Sequence, residues 1–385
     1  MKITVHVDNN LAKIKVGSLQ EIYFKSDVAI ESQLYDFALW AVIPLAMRLG
    51  GGEIHFGYKV SQKAYNSANQ VARVWANWAP EIYSFPNFTG VKTTSVNSNI
   101  DRNCTFFSGG LDSTYSAIKL REESILSDSI TVHGMDYWFG DHEKFDLLMN
   151  QTYKFRKNHF ANSYSVRTNI YEVYDSIGCN PFDGQVTHVF ALFACGSLFN
   201  YSQYFIAADY RLDQQYTAHP YGSNFATNSL MHNAYGSLVT RDYEVGRGLK
   251  AKYLFKRKIN LDSLSICANY EFRPRNCGVC EKCMRTKVLF FASSGVIPNI
   301  FNNKDIPSDW FRSFELCNKV KRVFFTDILD TILEGSFSTE LNYSGAYDYW
   351  KEAALKARLG VTESFTLKLV LKRFFDFLAN LKKRF

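Results

Sequence analysis

One heptapeptide limits the possible folds of this chain more than any other sequence feature does. Phe107-Ser-Gly-Gly-Leu-Asp-Ser113 lies between a short apolar run, Thr105–Phe107, and a helical pattern from Ser113 to Glu123. Two consecutive glycines allow positive φ values and a close approach of the backbone to a ligand. The amide groups of such a turn, and of the helix start that follows it, point at an anion. The sequence therefore predicts a phosphate-binding loop at the end of a strand.

The side chains of the loop fit this interpretation. Ser108, Ser113 and Thr114 supply hydroxyl donors, and Asp112 adds a carboxylate that orients the loop or reaches a Mg²⁺ ion. The loop matches neither the G-x-x-x-x-G-K-[ST] pattern nor the G-x-G-x-x-G pattern. It is thus a phosphate loop of another class.

Strand and helix patterns alternate after the loop. The alternation predicts a strand over Ser129–Met135, a helix over Glu143–Phe160, a strand over Ser163–Thr168, a helix over Val186–Phe199 and a strand over Tyr204–Ala208. Alternation at this spacing indicates an α/β fold with a doubly wound parallel sheet and helices on both faces. Ligands then bind at the carboxyl ends of the strands.

Three domains are predicted. Residues 1–100 form a small α/β extension, residues 101–295 form the domain with the phosphate loop, and residues 296–385 form a helical extension. In the first, we expect strands over Ile3–Val7, Ala12–Val16 and Glu21–Phe24, and a helix over Leu34–Leu49 that Pro44 interrupts. In the last, we expect helices over Trp310–Leu333, Tyr347–Leu359 and Thr366–Phe385.

Composition narrows the class of protein. The chain has 385 residues, of which 46% are hydrophobic, so it can bury a core. The net charge is +7, and Lys351–Phe385 alone carries nine Lys and Arg against three acidic residues. The near-neutral remainder argues against nucleic acid as the main partner. The sequence contains no long apolar run and no signal peptide, so we expect a cytoplasmic protein in a reducing compartment.

Four cysteines form a second motif, Cys267-x₉-Cys277-x₂-Cys280-x₂-Cys283. Four thiolates at this spacing can close a tetrahedral Zn²⁺ site, which would be structural because no coordination position stays open. An iron–sulfur cluster is the alternative, since it also uses four cysteines. The remaining cysteines are too irregularly spaced to join the motif, and we expect buried thiols at Cys104, Cys179, Cys195 and Cys317.

The loop resembles the SGGxDS loop of the PP-loop ATP pyrophosphatases. A loop of this type followed by the four-cysteine array is similar to the 7-cyano-7-deazaguanine synthase (QueC) family, and the resemblance covers residues 101–295. It implies that Ser108, Asp112 and Ser113 are catalytic and that ATP with Mg²⁺ binds at the loop. The ATP-binding residues that it implies are Phe107, Ser108, Gly109, Gly110, Leu111, Asp112, Ser113, Thr114, Tyr115, Ser116 and Ala117.

The resemblance also implies an activity. In the family, the carboxylate of 7-carboxy-7-deazaguanine is adenylated, ammonia gives an amide, and a second ATP leads to the nitrile. Such an enzyme is a ligase that forms C–N bonds. The loop after the strand Tyr204–Ala208 would meet the base through Asp209, His219 and Asn224.

Three basic residues are further candidates for phosphate contacts. Arg247 and Lys250 lie three residues apart between that loop and the cysteines, and Arg285 follows Cys283 near a predicted helix start.

The two extensions are similar to those of synthase-like proteins associated with bacterial anti-phage defence (QatC-like). This similarity implies a protein partner, or a protein amine in place of ammonia as the acceptor. Two other functions stay open: an RNA-modifying PP-loop ATPase, of the tRNA lysidine synthetase or thiolase type, and a nucleotide-binding scaffold without activity.

Overall fold

An eight-stranded sheet forms the centre of the structure, a computed structural model that describes residues 1–50, 52–97, 99–179, 186–218, 221–307, 310 and 319–334. The strands are β1 (Ile3–Asp8), β2 (Leu11–Val16), β3 (Ile22–Ser26), β4 (Glu53–His55), β5 (Lys59–Ser61), β6 (Asn87–Thr89), β7 (Lys92–Thr94), β8 (Asn103–Phe106), β9 (Asp128–His133), β10 (Ser163–Thr168), β11 (Gln203–Ala207) and β12 (Ser237–Arg241). The order in the central sheet is β1-β2-β3-β10-β9-β8-β11-β12, while β4 pairs with β6 and β5 with β7.

The helices follow the strands in alternation from β8 onward. They are α1 (Asp36–Arg48), α2 (Gln62–Trp78), α3 (Leu111–Glu122), α4 (His142–His159), α5 (Ile170–Ser176), α6 (His188–Gly196), α7 (Leu212–Ala218), α8 (Phe225–Asn228), α9 (Arg247–Lys256), α10 (Glu281–Ser294) and α11 (Lys319–Glu334). Short 3₁₀ helices cover Leu261–Ser263 and Tyr270–Phe272.

Strands β8 to β12 run parallel, and β1 to β3 join them through antiparallel pairs. This arrangement confirms the α/β class that the alternation predicted. Strand β8 has β9 on one side and β11 on the other. The chain moves from β8 through β9 to β10 and then returns to the opposite side of β8. Strands β8 and β11 therefore flank the topological switch point, where α/β sheets bind ligands.

Helices cover both faces of the sheet at β8. The ring of Phe106 lies against Gly196 of α6, where an added Cβ would be 2.8 Å from the ring. The ring of Phe107 stacks on Phe155 of α4 at 5.3 Å between centroids. Neighbouring residues of an extended chain point to opposite faces, so α6 and α4 lie on opposite sides.

The structure divides into two compact units. The first comprises the described residues of Met1–Leu212, residues 221–244 and Asp262–Ser265, and it contains the whole central sheet. The second comprises residues 213–218, Val245–Leu261 and the described residues from Ile266 onward. In this second unit, α9, α10 and α11 pack against one another.

The first compact unit spans the boundary that the sequence predicted at residue 100. Strand β3 pairs with β10, and the side chain of Asn169 accepts a hydrogen bond from the amide of Tyr23 at 2.8 Å and donates to the carbonyl of Glu21 at 2.8 Å. The N-terminal strands thus extend the sheet of the phosphate loop. This pairing joins segments far apart in the chain, so no local pattern indicates it.

The prediction that Pro44 interrupts the helix after β3 is wrong, because α1 is continuous from Asp36 to Arg48. Burial explains the difference: α1 packs on α2 and α6, and nearly all of its side chains are buried. Tertiary packing outweighs the loss of one backbone hydrogen bond at proline.

The predicted helix over Trp310–Leu333 corresponds in its described part to α11, and those over Tyr347–Leu359 and Thr366–Phe385 lie outside the described residues. No helix within the described ranges has the length and apolar character needed to cross a membrane.

A glycine at the end of β9 gives a test of the fold. Gly134 has a φ of +112°, and an added Cβ would lie 1.7 Å from the carbonyl oxygen of Thr168. We expect Gly134→Ala to lower the free energy of unfolding by about 3 kcal/mol or more, because both strain and a backbone clash oppose it. Gly140→Ala is the matched control, since nothing lies within 4 Å of its added Cβ, and it should change stability by less than about 0.5 kcal/mol. Urea unfolding of both variants measures the difference, and equal midpoints would contradict this account.

Candidate functional site

The predicted phosphate loop lies at the switch point of the sheet. It follows the carboxyl end of β8, and α3 begins within the loop, at Leu111, directly after Gly110. Gly110 is the N-cap residue of α3, with an extended backbone. The loop therefore joins a central parallel strand to a helix N-terminus, where backbone N–H groups and the helix dipole favour an anion.

The backbone of the loop takes a conformation that requires glycine. Gly109 has a φ of +76°, and its added Cβ would lie 3.2 Å from Cγ2 of Thr152. The amide of Ser265 donates a hydrogen bond to the carbonyl of Gly109 at 2.9 Å. Near Gly110, in contrast, an added Cβ would meet only the Oγ of Ser108, at 3.3 Å. One side of the loop is thus packed and the other side is open.

Hydroxyl groups surround the start of α3. The Oγ atoms of Ser108 and Ser113 lie 3.2 Å apart, and Ser113 Oγ also donates to the carbonyl of Gly110 at 3.2 Å. Thr114 is fully buried, and its Oγ1 makes no hydrogen bond among the described residues. Ser108 is exposed and Asp112 is half-buried. The exposed Ser108 hydroxyl can donate to an anion that approaches the helix start, whereas the Asp112 carboxylate can only accept hydrogen bonds or bind a cation.

The other residues that the resemblance assigned to ATP have buried side chains. The buried set consists of Phe107, Leu111, Tyr115, Ser116 and Ala117. The Oγ of Ser116 donates to the carboxylate of Asp242, which follows β12. These side chains pack the loop and the start of α3 into the first unit, and all of them are buried.

The three residues predicted to meet the base differ in their surroundings. Asp209 follows β11 and accepts a hydrogen bond from the Tyr221 hydroxyl. Asn224 caps α8, because its Oδ1 accepts from the amide of Thr227 at 2.9 Å and its Nδ2 donates to the carbonyl of Tyr221 at 2.7 Å. His219 lies outside the described residues. Asp209 is thus the predicted contact placed after a strand that flanks the switch point.

The predicted basic contacts belong to the second unit. Arg247 begins α9, and its amide donates to Asp327 at 3.1 Å. The guanidinium groups of Arg247 and Arg285 lie 4.9 and 3.5 Å from the centroid of the Phe324 ring. Lys250 of α9 is buried. The structure therefore brings Arg247 and Arg285 together on one aromatic ring of α11.

The four predicted metal ligands do come together. The sulfur atoms of Cys267, Cys277, Cys280 and Cys283 all lie within 4.8 Å of one another. The Cys267–Cys280 pair is 3.8 Å apart and the Cys277–Cys283 pair 3.9 Å. A tetrahedron with metal–sulfur bonds of about 2.3 Å has edges of about 3.8 Å. The cluster has the dimensions to bind a metal ion such as zinc.

Local backbone structure explains why these cysteines converge. Gly278 has a φ of +78°, and an added Cβ would lie 2.0 Å from the carbonyl oxygen of Asn303. The turn that it permits lets the amides of Val279 and Cys280 donate to the sulfur of Cys277 at 3.4 and 3.3 Å. Cys280 is also the N-cap residue of α10. Amide donors and a helix N-terminus both stabilise thiolates.

Without a cation, the four thiols cannot all ionise. A hydrogen bond between Cys280 and Cys283 lowers the pKa of the Cys280 thiol and raises the pKa of the Cys283 thiol. Burial raises the pKa of Cys267 to about 11. One thiolate therefore keeps its neighbours protonated, and a divalent cation would remove that conflict.

The remaining cysteines are separate from this cluster. Cys104, Cys179 and Cys195 are fully buried, and burial raises the pKa of each thiol. Cys317 lies outside the described residues. The three described thiols behave as small apolar side chains, as expected.

Three residues that support the two sites lie outside the motifs that the sequence indicated. Asp242 and Ser265 contact α3 and the phosphate loop. Lys287, on α10, is fully buried and donates to the carbonyl of Asn303 at 3.2 Å. Burial lowers the pKa of Lys287. None of these residues belongs to a local motif, although Lys287 does lie on the face of α10 one turn after Cys283.

Comparison of this chain with family models, with curated proteins and with solved structures finds no match in any of the three.

Substitution of one cysteine tests the metal site. We expect Cys280→Ser to lose bound metal and to lower the unfolding temperature of the protein, because metal binding in small sites contributes about 10 kcal/mol to folding. Cys195→Ala removes a buried thiol outside the cluster and should keep the metal. Metal content by mass spectrometry and thermal unfolding with and without a chelator measure both effects. A Cys280→Ser variant with a full metal complement and unchanged unfolding would contradict the assignment.

Proposed function

We propose that this protein is an ATP-dependent ligase that adenylates the carboxylate of 7-carboxy-7-deazaguanine or of a close relative. Pyrophosphate and AMP are its products. One observation carries the proposal: the S-G-G-L-D-S loop lies at the carboxyl end of a central parallel strand, with Gly109 at a φ of +76° and α3 beginning within the loop at Leu111. Together with the sequence, this supports a PP-loop fold.

The loop supplies the groups that a triphosphate needs. Backbone amides at the start of α3 and the exposed Ser108 hydroxyl are donors on the open side of the loop, and the buried Ser113 hydroxyl lies 3.2 Å from that of Ser108. Asp112 lies in the first turn of α3, where its carboxylate would repel phosphate oxygens. It therefore fits the role of holding Mg²⁺, which offsets the charge of the leaving pyrophosphate.

The chemistry requires alignment more than a side-chain nucleophile. A substrate carboxylate oxygen attacks the α-phosphorus of ATP, and pyrophosphate leaves. Ammonia or a protein amine then attacks the acyl carbon, and AMP leaves with the original oxygen. With ammonia the product is an amide, whose oxygen attacks a second ATP, and loss of AMP gives the nitrile. The protein binds and orients ATP and the carboxylate and excludes water, which is sufficient for such a reaction.

For the cysteine cluster, we propose structural zinc. All four sulfurs lie within 4.8 Å of one another, which fits one tetrahedral ion. An iron–sulfur cluster distributes its cysteines over several irons and holds them further apart. A colourless protein with one equivalent of zinc would support zinc, and visible absorbance would support the iron–sulfur alternative.

The phosphate loop gives the decisive test of activity. We expect Ser108→Ala and Asp112→Ala to lower pyrophosphate release from ATP and 7-carboxy-7-deazaguanine by about 100-fold or more, because each removes a group that contacts the phosphates or their cation. Ser18→Ala and Asp8→Asn change exposed residues of the same types and should retain activity. Unchanged circular dichroism of all four variants shows that they are folded.

The same assay separates the alternatives. Mass spectrometry of the products distinguishes nitrile, amide and a protein adduct. Pyrophosphate release that requires tRNA would favour an RNA-modifying enzyme. If wild-type protein binds ATP but releases no pyrophosphate with any carboxylate, the nucleotide-binding scaffold replaces the ligase.

A further inference from the structure

The carbonyl group of Gly109 is held away from the open side of the phosphate loop. Its oxygen accepts a hydrogen bond from the amide of Ser265 at 2.9 Å. A carbonyl oxygen that pointed to the open side would repel phosphate oxygens, whereas an amide would attract them. The direction of the peptide between Gly109 and Gly110 therefore affects how well an anion binds.

The residue that holds Gly109 belongs to a segment distant in the chain. Residues 262–265 cross the packed side of the loop, and the carbonyl oxygen of Ser263 would lie 3.6 Å from a Cβ added to Gly109. The carbonyl of Leu264 accepts a hydrogen bond from Nε2 of Gln151 at 3.2 Å. This 262–265 segment is thus fixed both to the loop and to α4.

A buried tyrosine fixes the side chain of Ser265. The hydroxyl of Tyr137 lies 3.1 Å from the Oγ of Ser265, at hydrogen-bond distance. Tyr137 is 3% exposed, and its ring packs edge-on against Phe145 of α4 at 6.2 Å between centroids. The amide of Gly134 donates to the carbonyl of Tyr137 at 2.9 Å, which places the tyrosine at the carboxyl end of β9.

Helix α4 closes the same side of the loop. A Cβ added to Gly109 would lie 3.2 Å from Thr152 and 3.4 Å from Leu148. These contacts leave little room on the packed side. A hydrogen-bond chain runs from the Tyr137 hydroxyl through Ser265 to the carbonyl of Gly109.

We propose that Tyr137 and Ser265 are positioning residues of the phosphate loop. They keep the peptide between Gly109 and Gly110 in the orientation that directs its amide away from the 262–265 segment and toward the Oγ of Ser108, to which it donates at 3.3 Å and where an anionic ligand would also accept from it. Neither residue acts on the substrate itself. This inference rests on the proposed function only for the identity of the ligand, ATP. The role of the two residues in the loop conformation is argued from their contacts alone.

Removal of either hydroxyl should weaken ATP binding. Loss of one hydrogen bond in the chain lets the 262–265 segment move and lets the peptide rotate, which glycine at both positions allows. We expect Tyr137→Phe and Ser265→Ala each to raise the Kd for ATP about three- to tenfold. Because the two hydroxyl groups bond to each other, the double variant should lose no more than either single variant.

Control variants separate positioning from general loss of stability. Tyr153→Phe changes a tyrosine of α4 that is 59% exposed and should leave the Kd unchanged. Ser265→Thr keeps the hydroxyl and should restore binding. Hydrogen exchange of the amides of Gly109 to Asp112, measured without nucleotide, should be faster in Tyr137→Phe and Ser265→Ala than in wild type, while the unfolding temperatures stay close to wild type.

The outcomes distinguish this inference from the proposed function. Faster exchange confined to the loop, with weaker ATP binding and a non-additive double variant, supports the inference. Unchanged loop exchange in both single variants would overturn it, as would additive losses in the double variant. If wild-type protein does not bind ATP, the proposed function fails, and loop exchange still decides the positioning role.

Discussion

Parallel pairing of β8 on both of its edges is the constraint on which the phosphate loop depends. Because β9 lies on one side and β11 on the other, the carboxyl end of β8 lies at the switch point of the sheet. The chain must leave β8 by a tight turn to begin α3, and Gly109 adopts the left-handed conformation there. This geometry places the backbone amides of a helix N-terminus at the carboxyl end of β8.

The loop has two sides with different physical character. Its packed side is formed by α4 and the 262–265 segment, which leave little room around Gly109. Its open side carries Ser108 and the start of α3. Under the proposed function, rigid support on one side and donors on the other would stabilise charge without reorganisation of the loop.

The sequence predicted the cysteine cluster more completely than it predicted the residues around the loop. The cysteine cluster is local: three of its ligands fall between Cys277 and Cys283, and Gly278 makes the turn, so spacing alone predicted that they converge. For Asn224, the resemblance implied a substrate contact, which stays a prediction, and the structure shows that its side chain caps α8. A capping asparagine and a ligand-binding asparagine look alike in sequence, because the hydrogen-bond partners of a side chain depend on backbone geometry.

The sequence by itself determined the α/β class, the position of the glycine turn between β8 and α3, and the four clustered cysteines, since each depends on periodicity or on short-range spacing. Only the tertiary structure decided that β1 to β3 complete the central sheet, and that Tyr137 and Ser265 support Gly109. It also decided that α1 continues through Pro44. These features depend on contacts between segments far apart in the chain, whose free energies outweigh local preference and leave no periodic pattern in the residues.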